Sequence, residues 1–163
     1  MNGIETRRPD SDESGACCLV GYGNPQRRDD GLGWYVVSNL ARRLTTGGRV
    51  RCYLRRQLEP DLLDDLSGAG TVVLVDASAE TIEGGWQWNR VLPRLDQVSY
   101  LSHLMAPGYF LALYGLLHGK TPRTWQVAIQ GDDFEAGEGL SPSAEERALR
   151  VIAELAKLIS KED

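Results

Sequence analysis

The chain has 163 residues, 42% hydrophobic and 25% charged, enough for one buried core and too few for two independent domains. Its 18 Lys and Arg against 23 Asp and Glu leave a net charge of −5, without the basic excess that nucleic-acid binders use to neutralise phosphates. No window approaches the roughly 18 apolar residues that span a bilayer, and the N-terminal stretch has no apolar signal segment, so neither nucleic acid nor a membrane is an expected partner.

Residues 1–14 are polar and lack apolar anchors; they are expected to form a disordered leader before a single α/β domain over 15–163. From Ala16, ACCLVGYG reads as a continuous apolar strand. Leu32, Val36, Val37, Leu40 and Leu44 then recur at helical spacing. Val50, Cys52 and Leu54 alternate with arginines in a second strand, and Pro60 stands at the first position of a short helix bearing Leu62, Leu63 and Leu66, closed by Gly68 and Gly70. The arginines at 42, 43, 49, 51, 55 and 56 fall close together, as on a solvated face or a docking patch.

TVVLVDA, residues 71–77, is β-branched and apolar on both faces, as in the middle of a parallel sheet, with Asp76 at its carboxyl end. The Gly84-Gly85 pair followed by Trp86, Trp88 and Val91 suggests a turn and an added, antiparallel strand. Pro107 to Leu117 is expected to be helical with Gly119 as its cap; WQVAIQG at 125–131 is a further strand; Ser143 to Ile159 is a closing amphipathic helix. Strands alternating with helices imply a three-layer α/β/α sandwich around a mostly parallel sheet of about five strands. Ligands of such a sheet lie beyond the carboxyl ends of its strands.

The loop after the first strand, GYGNPQRRDDGLG (residues 21–33), stands where nucleotide folds cradle phosphates. It carries Gln26 in place of the third glycine of a dinucleotide fingerprint and has no P-loop lysine. Asp29 and Asp30 also sit where a helix N-terminus would otherwise hold an anion, so the loop suits a cation or a hydrogen-bond donor. One aspartate can cap the helix. If Asp29 does so, Asp30 begins the helix on the sheet edge where Asp76 leaves the third strand.

Of the two histidines, His118 falls in a last helical turn, where an imidazole complements the helix dipole. His103, in YLSHLMAPG, falls in a strand-to-helix loop of the kind expected on the active edge. Asp30, Asp76 and His103 together would form a mixed nitrogen and oxygen set suited to a borderline divalent ion, with positions left for water or substrate. The odd number of cysteines, Cys17, Cys18 and Cys52, lie in apolar segments without a C-x-x-C; they read as core residues in a reducing cytoplasm rather than as nucleophiles. G-x-S-x-G is absent as well.

Taken in order, G-x-G-N-(x)4-D-[DE]-x-x-G, a strand ending in V-D-A, S-H before a helix, and G-x-G-L-S-P run from Leu19 to Pro142. This set resembles the hydrogenase maturation endopeptidases, the processing proteases of nickel–iron hydrogenases. The resemblance implies a nickel-dependent cut that removes a C-terminal peptide from the hydrogenase large-subunit precursor. It also implies that Asp30, Asp76 and His103 are the metal-binding and catalytic residues. The nickel can be supplied by the substrate, and zinc or cadmium could occupy the same site. Asn24, Gly21 and Gly23 match the family loop, with roles in substrate binding or turn formation.

Two stretches depart from the family pattern. PQRR at 25–28 is more polar than the usual loop, and RRQLEPDLL at 55–63 replaces a glycine-rich turn. QLEPDLL, HLMAPGYFLAL and GEGLSP look more like the branch that serves soluble cofactor-linked hydrogenases. Two other readings stay open at this point. G-x-G-N-P at a strand end also resembles peptidyl-tRNA hydrolases, although no histidine lies in the loop. A non-catalytic metal-binding maturation factor could use the same acids.

Overall fold

The computed structural model describes residues 15–44, 48–96 and 105–160. The polar leader and His103 lie outside the described residues.

β1 (Ala16–Tyr22), β2 (Val50–Arg55), β3 (Ala69–Ser78), β4 (Trp86–Val91) and β5 (Arg123–Gln130) form one sheet in the order β2-β1-β3-β5-β4. Every neighbouring pair is parallel except β4 with β5. The antiparallel edge strand after the glycine pair is thus present. So is the central position of the most apolar strand, β3, whose Val72 to Val75 are buried.

α1 (Leu32–Ala41) connects β1 to β2, and α2 (Asp61–Asp65) connects β2 to β3. These two crossovers run in opposite directions across the sheet, so crossovers of one hand place them on opposite faces. The core follows that division. Cys17, Leu19, Val73, Val75 and Val127 pack beneath α1 and α4 (Pro142–Ile159), whereas Cys18, Val20, Val72 and Leu74 pack beneath α2 and α3 (Pro107–His118). The alternation of side chains along each strand decides which residue serves which layer. On the first face, Ala144, Ala148, Val151, Ile152, Leu155, Leu158 and Ile159 bury one stripe of α4, and Trp88 meets Trp125 edge to face at 6.1 Å.

Helix ends differ from the sequence reading where local geometry intervenes. α1 stops at Ala41, and Leu44 reaches the core from beyond it. Pro60 precedes α2 with helical backbone angles instead of opening it. Gly68 makes the turn at φ +78°, while Gly70 belongs to β3. Gly119, with φ +81°, ends α3 in the left-handed cap expected of it.

The glycines of the 21–33 loop serve packing. The start of α1 is seated on the ends of β1 and β3, so that a Cβ on Gly21 would overlap the carbonyl of Gly33. One on Gly33 would overlap the Val75 carbonyl and come within 2.9 Å of the Tyr22 backbone. Nothing there can yield, because the obstructing atoms are main chain. Gly33→Ala is therefore expected to destabilise the protein by about 2–3 kcal/mol, read as a lower midpoint in chemical denaturation. An unchanged midpoint would show that this seat is looser than described.

Candidate active site

The chain leaves β1 for β2 on one side of the sheet and leaves β3 for β4 and β5 on the other, with α1 and α3 on opposite faces, which makes the space between the carboxyl ends of β1 and β3 the topological switch point of the sheet. Asp76, near the end of β3, shares a face with Val72 and Leu74, and Tyr22 at the end of β1 shares it with Cys18 and Val20. A single turn of 3-10 helix, Arg28–Gly31, then carries Asp29 and Asp30 over the end of the sheet.

The adjacent aspartates have different work. Asp29 is fully buried and does not cap its own helix; Gly31, the residue before α1, has no side-chain cap. Its carboxylate accepts the backbone N–H groups of Asp132 (2.8 Å), Asp133 (2.9 Å) and Ser141 (2.7 Å) and the Ser141 hydroxyl (2.7 Å). Ser141 in turn caps α4 by accepting from the Ala144 amide. The first acid of the D-D pair thus binds the serine of G-L-S-P, joining two sequence motifs 112 residues apart. Burial opposes the charge on Asp29, but these hydrogen bonds outweigh it and hold the carboxyl below its ordinary range. Asp29 thus does not take the capping role open to it in the sequence: its carboxylate instead gathers three backbone amides of the 131–141 segment.

Asp30 is half-buried and accepts one hydrogen bond among the described residues, from the Asn24 amide at 2.8 Å. Asn24 accepts the Gln26 amide with its side chain (3.0 Å) and the Arg27 amide with its carbonyl (3.0 Å), forming the turn that aims the loop. Gly23, at φ +134°, lies so close to the Asp30 carbonyl that a Cβ would overlap it. Gly21 and Gly23 are both buried in this seat.

Asp30 lies near enough to Asp76 for its charge to act on that carboxyl. Burial, reinforced by the nearby Asp30 charge, pushes the Asp76 carboxyl up to about 7, against the opposing hydrogen bonds from the Tyr22 hydroxyl and the Ala77 backbone. The Tyr22 hydroxyl also accepts from Gln126 Nε2 at 3.1 Å, and burial together with Asp76 raises its own pKa well above the ordinary tyrosine value. A relay Gln126–Tyr22–Asp76 therefore orients the second carboxylate. The sequence reading missed both supporting residues. Their signal was a polar side chain placed on the buried phase of an apolar strand: Tyr22 two after Val20, and Gln126 inside WQVAI.

Among the described residues no three His, Cys, Asp or Glu side chains gather closely enough to hold a metal ion. Asp30 and Asp76 are two members of the set expected from the sequence, and the third, His103, lies outside the described residues. The chain resumes at Met105, packed on the same face as Asp76. His118 is far from this edge in the fold. Its Nε2 lies 3.1 Å from the Leu63 carbonyl, its ring rests on Tyr114 at 4.3 Å, and it lines a cavity with Gly70 and Pro122 at the amino edge of the sheet. The cysteines offer no activated thiol: Cys17 and Cys18 are buried, and burial, with a contribution from Cys18, pushes Cys52 up to about 11. Among the described residues no helix is long and apolar enough to cross a membrane.

Solved structures share this fold. A [NiFe] hydrogenase maturation protease, HycI of Thermococcus kodakarensis KOD1, superposes with a TM-score of 0.72 at 22% identity, over 90% of this chain and 93% of that one. The hydrogenase maturating endopeptidase HybD of E. coli superposes with a TM-score of 0.74 at 19% identity, over 90% and 93%. A hydrogenase 2 maturation peptidase of a Thaumarchaeota archaeon gives 0.62 at 18%, over 87% and 96%. No family model and no curated protein sequence matches the chain. The chain thus has the fold of the hydrogenase maturation proteases.

Two measurements separate the paired acids and test the raised carboxyl. Asp29→Ala, which removes the buried acceptor of three amides and a hydroxyl, is expected to lower stability by at least about 2 kcal/mol, while Asp30→Ala changes it by less than about 0.5 kcal/mol; equal losses in urea denaturation would refute this division. In the metal-free protein Asp76 has a folded pKa above its unfolded value near 3.8. Between about pH 4 and 7 the folded state keeps a proton that the unfolded chain has lost, so stability falls as pH rises through that window and then levels off. Asp76→Asn removes the fall: its melting temperature should exceed that of the native chain at pH 8 and converge with it near pH 4. A difference independent of pH would contradict the assignment.

Proposed function

We propose that this chain is a hydrogenase maturation endopeptidase, which removes a C-terminal peptide from the large-subunit precursor of a nickel–iron hydrogenase in a nickel-dependent cut. The observation that carries the reading is the meeting of Asp30 and Asp76 at the β1–β3 switch point. Support comes also from the fold shared with proteins named as such endopeptidases and from the ordered motifs of the sequence.

The donor set fits a divalent cation. Two carboxylates approach each other at a half-buried edge, and no Lys or Arg is among the groups that shift Asp76. Such a pair gains what it lacks when a cation joins it. Asp30, Asp76 and His103 would hold the ion. In that place these residues would hold nickel, carried by the precursor or bound beforehand, and the ion would supply Lewis-acid chemistry for polarising the scissile carbonyl.

The chain's own residues prepare the place. Tyr22 fixes the Asp76 carboxylate, the Asn24 amide fixes Asp30, and the Gly21–Gly33 seat holds the two strand ends at the separation that brings the acids together. Neither the cysteines nor the remote His118 provides an activated nucleophile or a base beside the paired acids.

Purified protein mixed with nickel-loaded precursor should release one short C-terminal peptide, seen by mass spectrometry. Asp30→Ala, Asp76→Ala and His103→Ala should each slow release by at least about 100-fold without lowering the melting temperature. A triple variant that still trims the precursor at the native rate would refute the proposal. Tight binding of the precursor by the native chain without release would instead favour a non-catalytic maturation factor.

A further inference from the structure

The two stretches in which this sequence departs from the family pattern, PQRR at 25–28 and RRQLEPDLL at 55–63, touch in the fold at the rim of the carboxylate site. Between them they hold four arginines, and the structure treats these in two ways. Arg28 faces the Asp133 carboxylate at 3.5 Å, and Arg55 is paired with Asp65 at 2.6 Å. Among the described residues, Arg27 donates its side chain to the Phe134 carbonyl alone. Arg56 donates from its two terminal nitrogens to neutral amide oxygens, Asn24 Oδ1 and Gln26 Oε1, both at 3.3 Å.

Arg56 thus has no carboxylate partner among the described residues, and it is exposed. It is tied to the loop that holds the site, because the same Asn24 gives its amide to Asp30. Two long hydrogen bonds to neutral acceptors fix the direction of a guanidinium and leave Nε and further N–H groups free, in the fork geometry that suits a carboxylate. An arginine already oriented loses less entropy on engaging an anion than one free in solvent. The neutralised neighbours, Arg28 and Arg55, show that acidic residues were within the reach of this rim and were used there.

Resting on the protease reading above, we infer that Arg56 is a specificity-determining residue that receives a carboxylate of the substrate polypeptide, next to the segment being cut. That carboxylate is an acidic side chain near the scissile bond or the chain-terminal group of the extension; the chemistry is the same, and the test separates them.

The measurement is steady-state processing of nickel-loaded precursor. Arg56→Gln is expected to raise KM about tenfold and to move kcat far less, and Arg56→Glu to raise KM further. Arg43→Gln, an equal loss of charge on an exposed residue outside the site, should leave KM unchanged. Precursors in which each acidic residue of the C-terminal region is changed to Lys should include one that restores the KM of Arg56→Glu, which assigns the carboxylate to that side chain. If instead a neutral extension of the precursor's C-terminus raises the KM of the native enzyme and not that of Arg56→Gln, the terminal carboxylate is the partner. Native KM for both Arg56 variants on every precursor overturns the inference while the protease reading stands. Failure of the native enzyme to cut overturns the protease reading itself.

Discussion

The close seating of α1 on the ends of β1 and β3 is the constraint from which the rest of the site follows. Main chain meets main chain at Gly21, Gly33 and Val75, with no room for a Cβ. That contact brings the turn carrying Asp30 down onto the strand end carrying Asp76, so two carboxylates are held near one another at a price in electrostatic repulsion and desolvation. The fold tolerates this because Asp29, one residue earlier, is saturated with hydrogen bonds and anchors the same turn to the start of α4. One acid of the pair is spent on structure so that its neighbour can be left under-bonded.

That division also accounts for the motifs as a set. D-D and G-L-S-P are linked through Asp29 and Ser141, and the 24–28 loop is joined to the 131–141 segment by main-chain bonds between Gln26 or Arg28 and Gly137. G-x-G-N combines the seat with the turn that presents the Asn24 amide to Asp30. V-D-A places the second acid at the switch point. What looks in the sequence like several scattered signatures is one edge of one sheet, with basic residues on its outer rim and acids within.

Much of this was legible before the coordinates. The period-2 and 3.6-residue patterns fix the order of strands and helices, because burial of alternate faces leaves few other solutions; the Gly-Gly turn and Trp86 and Trp88 mark the antiparallel edge. The convergence of Asp30 with Asp76 follows from the rule that loops at carboxyl edges meet where crossovers diverge. The role of Asp29 was not legible, since its partners are backbone amides more than 100 residues away and amides leave no trace in residue type. Tyr22 and Gln126 were hidden for a related reason: each is an ordinary polar residue until the register of β1, β3 and β5 sets Tyr22 next to Asp76 and Gln126 within reach of the Tyr22 hydroxyl. Helix ends such as that of α1 before Leu44 escaped because apolar spacing continues past the last helical hydrogen bond.

The central claim is that Asp30 and Asp76 lie near one another at the ends of β1 and β3. Carbon-13 NMR of the aspartate side chains, followed from pH 3 to 10 in metal-free protein, tests it most directly. The account predicts an Asp76 carboxyl that titrates near 7 and moves to lower pH when Asp30 is replaced by Asn. A transition near the ordinary aspartate value, unmoved by that replacement, would contradict it.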